Sequence, residues 1–245
     1  MSLPIDYAST MTARDVKQAL LNLASADKAR SNAWFFKSGP GQYGEGDEFI
    51  GVNVPDQRVI ASHHRELKLE EVIKLIASPV HEHRLTGLFI MVDQFNQSAK
   101  AGRQVRYEAY LKLLNDGWVN NWDLIDSSAP QILGAYLADK SRRELYRLAS
   151  GGLWQQRAAI LATFYFIRED DFTDCLSLAE ELVDHPHDLI HKAVGWMLRE
   201  IGNRDRAVEE LFLAKHYKYM PRTMLRYAIE KFPNQLRRAY LEGKI

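Results

Sequence analysis

Trp122 and Asp126 stand four residues apart in Asn-Asn121-Trp-Asp-Leu-Ile-Asp126. A continuous helix places such residues on one face. A carboxylate beside an indole can stabilise developing positive charge or orient a water molecule. Pro130 bars a regular helix from running through, so Ser127-Ser128-Ala129 is expected to turn, and a carboxylate just before such a break projects into a groove. The same residues admit a plainer account, in which Asp126 or the serines cap the next helix and Trp122 is core. Asp123 falls on another face and reads as a solvent or capping residue.

A second group lies in His-Lys192-Ala-Val-Gly-Trp196-Met-Leu-Arg199-Glu. Trp196 and Arg199 are three apart and Lys192 is one turn earlier, so two cations bracket an indole. That combination suits a groove where an aromatic face meets an anionic ligand. Arg157, in Trp154-Gln-Gln-Arg157-Ala-Ala-Ile-Leu, has small neighbours that allow close approach, and its forked donors fit phosphate. A structural ion pair is the alternative for Arg157.

The elements that must carry these residues are helices. After residue 54, apolar residues recur at three- and four-residue spacing almost everywhere and alternating patterns are scarce. Helices are predicted over 12–25, 27–36, 55–64, 69–77, 81–96, 104–115, 122–127, 131–138, 141–149, 153–168, 172–183, 188–201, 206–217, 221–231 and 234–241. Pro55 and Pro221 suit first helical turns. Gly117, Gly151 and Gly202 are placed to end helices with positive φ. His-Arg84, Asn-Asn121, Gln-Arg157 and His-Lys192 open similar segments, at intervals of 37, 36 and 35 residues. That is the period of a two-helix repeat of the HEAT type. The expected fold is an all-α solenoid of stacked helix pairs, with inner helices lining a concave groove on which Trp122, Asp126, Arg157 and Trp196 converge; a compact helical bundle is the alternative. A single domain is expected over 1–245, with N-terminal helices and a Gly-rich loop over 1–53 and helical repeats over 54–245.

Composition narrows the class further. An ordinary apolar content of 46% marks a globular chain. The start shows no basic region followed by an apolar stretch, so no secretory signal is expected, and no apolar run is long enough to span a membrane. The lone Cys175 excludes an internal disulfide framework, fits a cytoplasmic setting and reads as a buried thiol. Formal net charge is zero, but charge is segregated. Residues 140–168 hold six Lys or Arg and one acid, 169–190 hold eight acids and no Lys or Arg, and 191–245 hold twelve Lys or Arg and six acids. This predicts a basic face with an acidic back, or else simply solvated helix surfaces.

Other chemistries lack their patterns. Gly39, Gly41 and Gly44 spell G-x-G-x-x-G, but the run follows a helix and contains Pro40, so it reads as a bent surface loop whose glycines supply positive φ. His81-Glu-His83, His63-His64 and His185-Pro-His187 do not have metal-ligand spacing, so no metal and no cofactor are expected. No nucleophile elbow or P-loop is present.

From about Phe49 to Lys231 the chain resembles the AlkD branch of the DNA alkylation repair family. The resemblance rests on Phe49-Ile-Gly-Val-Asn-Val-Pro55-Asp-Gln-Arg58, Trp122-Asp-Leu-Ile-Asp126, Trp154-Gln-Gln-Arg157 and Lys192-Ala-Val-Gly-Trp196-Met-Leu-Arg199. It implies a HEAT-like repeat fold and a monofunctional glycosylase that removes cationic N3- and N7-alkylated purines from double-stranded DNA without deep base flipping. It assigns catalysis to Asp126, Trp122 and Trp196, and DNA contacts to Arg157, Arg199 and Lys192. An N-terminal aromatic contact maps to Phe35 or a neighbour in Trp34-Phe35-Phe36. The family often has a second Trp where this chain has Asn121. The implied protein is a cytoplasmic monomer, associated with the nucleoid when bound to DNA. A catalytically silent member that binds DNA or protein is the rival reading.

Overall fold

The computed structural model describes residues 11–245, so the reading of the chain's extreme start lies mostly outside the described residues. All the secondary-structure elements among the described residues are helices; the one β-type feature there is an isolated parallel bridge between Glu48 and Val80. The all-α class and the pairing of helices are as the sequence period predicts. No described helix is long and apolar enough to cross a membrane. Contacts divide the chain into two compact units, the first ending at Ser128 and the second starting at Ala129.

The first unit holds α1 (Ala13–Leu21), α2 (Ala26–Phe35), α3 (Val54–His63), α4 (Leu69–Ile76), α5 (His81–Gln97), α6 (Lys100–Asn115) and α7 (Trp122–Asp126). Several starts have a local chemical cause. Thr12 and Asp15 form a reciprocal capping box, Ser25 caps α2, and Asn53 caps α3 ahead of Pro55 in its first turn. The central element is α5, against which α3, α4, α6 and α7 all pack. It brings Leu88, Ile90, Met91 and Phe95 into full burial, facing Leu75 and Ile76 of α4. Burying each such side chain is worth about 1.5–3 kcal/mol, while the polar residues that α5 also buries, His81, Glu82, Arg84, Thr86 and Gln94, each need a partner. Gln94 is one of them, and its amide donates to the carbonyls of Arg65 and Leu67, both at 2.7 Å. This satisfies the turn that leads into α4.

The second unit begins with a single π-type turn over Pro130–Gly134 that runs into α8 (Ala135–Leu137). Then come α9 (Arg143–Ala149), α10 (Leu153–Ala162), α11 (Phe164–Ile167), α12 (Thr173–Glu181), α13 (Asp188–Arg204), α14 (Arg206–His216), α15 (Arg222–Ala228) with a 3-10 turn to Lys231, and α16 (Asn234–Glu242). A repeated packing device holds this unit. A Cβ on Gly134 would lie 2.3 Å from the Ala162 carbonyl and 2.7 Å from the Tyr165 Cβ. One on Gly195 would lie 2.4 Å from the Met224 carbonyl and 2.6 Å from the Tyr227 Cβ. Each glycine lets its helix meet the backbone of the next pair, at the same offset to a following Tyr.

Three expectations are corrected. The helix expected over 153–168 is interrupted at Thr163, whose hydroxyl donates to the Ile160 carbonyl at 2.6 Å and competes with the backbone ladder. Gly117 does end a helix at φ 82°, but Gly151 lacks positive φ and Gly202 lies inside α13. Space explains Gly202, since a Cβ there would sit 1.7 Å from the Glu209 carboxylate of α14. The loop glycines with positive φ are Gly41, Gly46 and Gly51; Gly44 is there for close approach, because its Cβ would meet the Phe36 carbonyl at 2.4 Å.

Candidate functional site

The first turn of α7 is held by a buried polar network. Asn121 is fully buried; its Oδ1 accepts from the Trp122 amide at 2.9 Å and its Nδ2 donates to Asp47 at 3.1 Å. Asp123 Oδ1 accepts from the Leu124 amide, while its Oδ2 faces His81 Nε2 at 2.8 Å. The other ring nitrogen, Nδ1, faces Asp47 at 3.0 Å. Arg84, one turn along α5 and equally buried, pairs with Asp47 and donates to Asn120. Burial by itself pushes the His81 imidazole down, but Asp123 and Asp47 outweigh it and lift the group to about 9. Burial alone would raise the Asp47 carboxyl, yet His81 and Arg84 hold it below the ordinary range. Asp123 is therefore a partner of His81 as well as a capping residue, because α5 lies directly against its side chain.

An aromatic stack covers the network. The rings of Phe49 and Phe36 each lie against His81, at 4.9 and 4.7 Å, and Phe36 stacks on Trp122 at 5.3 Å with an interplanar angle of 19°. Phe35 meets Trp122 edge-on at 6.0 Å and is itself exposed, as is Trp34. The N-terminal aromatics thus fall beside Trp122, with Phe36 closest. The Gly-rich loop delivers Asp47 to this cluster. Glu82 anchors the following segment by accepting from the amides of Ile50 at 3.1 Å and Gly51 at 2.8 Å.

Trp122 and Asp126 are both half-buried, at the two ends of α7, while Leu124 and Ile125 between them are fully buried. The serines do not cap a following helix. Ser127 and Ser128 donate back to the carbonyls of Asp123 and Leu124, at 2.7 and 2.5 Å, and Tyr110 meets Ser128 at 2.9 Å. They close the C-terminal end of α7 and leave Asp126 in the last turn before the break that Pro130 predicts. Burial raises the Tyr110 hydroxyl, and the negative charge of Asp126 adds to that rise.

In the second unit, Arg157 is 4% exposed, and one of its Nη groups donates to the Leu189 carbonyl at 2.6 Å. That bond ties α10 to the first turn of α13. Lys192 pairs with Asp188 at 2.8 Å on its own helix. Trp196 lies 5.9 Å from Phe164, which Arg168 covers in turn, and its Nε1 donates to Glu200 at 2.8 Å. Arg199 bridges Glu200 and Glu230. Trp196 and Arg199 therefore sit among two carboxylates that the spacing argument left out. Basic and acidic stretches also pair with one another: Arg142 with Asp171 and Asp174, each at 2.6 Å, and Arg204 with Asp170 at 2.6 Å. The segregation of charge along the sequence is partly undone in space, since Arg142 and Arg204 of the basic stretches face carboxylates of the acidic one.

Sequence reasoning missed His81, Asp47 and Arg84 as parts of the Trp122 environment, whereas Phe36 lies in the Trp34-Phe35-Phe36 segment that the resemblance singled out. His81 was weighed only as a metal ligand, and Asp47 lies in a loop whose course no periodicity fixes. Arg84 carried a signal, since it opens a repeat segment as Arg157 does, and both prove buried. Among the described residues, no three His, Cys, Asp or Glu side chains are grouped to hold a metal ion.

Comparison with known proteins adds the family. The chain matches the model of the family described as DNA alkylation repair enzyme over residues 16–232. A search of curated proteins gives no match. Among solved structures, a protein from Enterococcus faecalis described as a predicted DNA alkylation repair enzyme superposes with a TM-score of 0.65 at 12% identity, over 86% of this chain and 97% of that one. At that identity the likeness speaks for the fold, whereas the family match spans nearly the whole helical array: the chain belongs to the DNA alkylation repair enzyme family.

Proposed function

We propose that this protein is a monofunctional DNA glycosylase that hydrolyses the N-glycosidic bond of cationic N3- and N7-alkylated purines in duplex DNA and leaves an abasic site. The observation that carries the reading is the Trp122–Asp126 pair on one short, anchored helix, with both side chains half-buried and Asp126 just before the turn at Ser127 and Ser128 that interrupts the helix. An alkylated purine already carries positive charge, so its bond to the sugar is weak and needs little protonation of the leaving group. One carboxylate then suffices, where ordinary glycosidases use two. In this reading Asp126 stabilises the oxocarbenium-like sugar and positions the attacking water. Trp122 offers its π face to the same cationic sugar, and Trp196 of the second unit is assigned a like role. Arg157, Arg199 and Lys192 contact phosphates, which fix register and carry no sequence information. The protein acts as a monomer in the cytoplasm, associated with the nucleoid when bound to DNA.

One observation favours the rival, a member that binds without excising: Arg199 is engaged by carboxylates and Arg157 by a backbone carbonyl. The deciding experiment incubates the protein with methylated duplex DNA and quantifies free 7-methylguanine and 3-methyladenine, with Asp126→Asn in parallel. Release by the wild type and loss of it in the variant is the expected result. DNA binding without release by the wild type supports the silent reading, and full release by Asp126→Asn removes Asp126 from the chemistry.

A further inference from the structure

The base of α7 contains four buried charged groups in balance. Asp47, His81 and Arg84 are nearly inaccessible and Asp123 is only slightly exposed. Both ring nitrogens of His81 face carboxylate oxygens, at 3.0 and 2.8 Å. An ionised carboxylate accepts and cannot donate, so both contacts are hydrogen bonds only when each nitrogen carries a proton. Two carboxylates then face one imidazolium and one guanidinium, and the quartet is neutral. Removing the imidazole proton leaves two buried anions against one cation and turns one hydrogen bond into a repulsion between lone pairs, a costly state in a buried cluster.

Each anion sits on a different segment. Asp47 belongs to the Gly-rich loop, Asp123 to α7, and His81 with Arg84 to α5. Phe36 and Phe49 cover the imidazole, and Phe36 in turn stacks on Trp122. We propose that His81 is a positioning residue for the Trp122–Asp126 pair: by bridging Asp47 and Asp123 it locks the first turn of α7, and the ring of Trp122, in one orientation. This rests on the glycosylase reading for its effect on excision, but not for its effect on Trp122.

The charged groups that face His81 are Asp123 from α7, Asp47 from the loop and Arg84 from its own helix. The first two raise its proton affinity; burial and Arg84 lower it, and the balance is a group that titrates near pH 9. Unfolded, it would titrate near 6.5, so the stabilisation it gives is complete below that pH and is lost as pH rises through about 9.

The test uses the full chain. Trp122 fluorescence, taken as the difference between wild type and Trp122→Phe, is followed from neutral pH to above pH 9, with Asp123→Asn in parallel. A transition near pH 9 in the wild type that moves to lower pH in Asp123→Asn supports the proposal; no transition, or one that Asp123→Asn does not move, overturns it. Single-turnover release of 7-methylguanine is measured for wild type and His81→Gln alongside duplex affinity. The expected loss is roughly 10–100-fold in rate, as a small misplacement of reacting groups gives, with affinity unchanged and the decline of rate above pH 9 absent in the variant. A full rate in His81→Gln overturns the proposal. A wild type that releases no base at any pH overturns the glycosylase reading alone, because the Trp122 titration still decides this one.

Discussion

Arg199 meets a phosphate only in competition with the charge of Glu230 and Glu200, which it already faces. Its Nη groups are committed to the two carboxylates, and its Nε is buried with no hydrogen-bond partner. If it binds DNA, a phosphate oxygen competes with the partly exposed Glu230 for the guanidinium. Glu230 thereby works against DNA at neutral pH, all the more because Arg199 holds its carboxyl below the ordinary range. Glu230→Gln is expected to tighten duplex binding by roughly 0.5–1 kcal/mol, the scale of an exposed ion pair, and Arg199→Ala to weaken it. Fluorescence anisotropy with one labelled duplex checks both. Equal affinities for wild type, Glu230→Gln and Arg199→Ala remove Arg199 from the DNA contacts. Glu200 accepts from the Trp196 indole and so fixes that ring's edge, which makes Glu200 a poor choice for the same experiment.

At the scale of elements, the contact between α13 and α14 hides a charge problem. Glu209 of α14 is 1% exposed, its Oε1 has no hydrogen-bond partner, and its carboxylate fills the space that Gly202 leaves open on α13. Burial chiefly, with Glu210 adding to it against Arg206 and Arg199, raises the carboxyl to about 8. The unfolded chain loses this proton near pH 4.5 and the folded chain near pH 8. Between these values unfolding releases the proton, so stability falls as pH rises, by at most roughly 1.4 kcal/mol per pH unit, and levels off above about 8. Glu209→Gln keeps the shape and removes the titration. In urea melts across this window the stability difference between variant and wild type is expected to grow in the variant's favour up to about pH 8; parallel curves would show that Glu209 is not the titrating group. This contact also shows what a sequence withholds. Helix existence was legible, because apolar spacing is local and each stripe must be covered. The role of Gly202 was not, since the residue that needs its missing Cβ lies on the next helix. The same holds at α7: Trp122 and Asp126 were visible as an i, i+4 pair, whereas the Asp47–His81–Asp123 bridge draws on three segments whose approach no local pattern encodes.

For the whole molecule, charge sets how strongly duplex binding responds to salt. The chain has 32 Lys and Arg against 32 Asp and Glu. Ion pairs run through both units: Lys112 with Asp116 at 2.6 Å in the first, and Lys192 with Asp188 at 2.8 Å and Arg206 with Glu210 at 2.9 Å in the second. Each cation that already faces a carboxylate releases little net counterion when a phosphate takes that carboxylate's place. Each unpaired cation that meets a phosphate lowers the slope of log affinity against log salt by about 0.9. A protein that grips DNA through many free cations loses about 10³–10⁵ in affinity between 50 and 200 mM salt. Here the neutral total and the extent of pairing predict a shallow slope of about −2 to −4, set by the few cations that meet a phosphate without giving up a carboxylate. Recognition would then lean on what salt does not screen, namely the aromatic faces around Trp122 and the cationic charge of the lesion itself. The measurement is duplex affinity against salt for matched DNA with and without 7-methylguanine. A steep slope, about −6 or beyond, would mean that the ion pairs open on DNA and that the cations, not the aromatic face, carry the affinity.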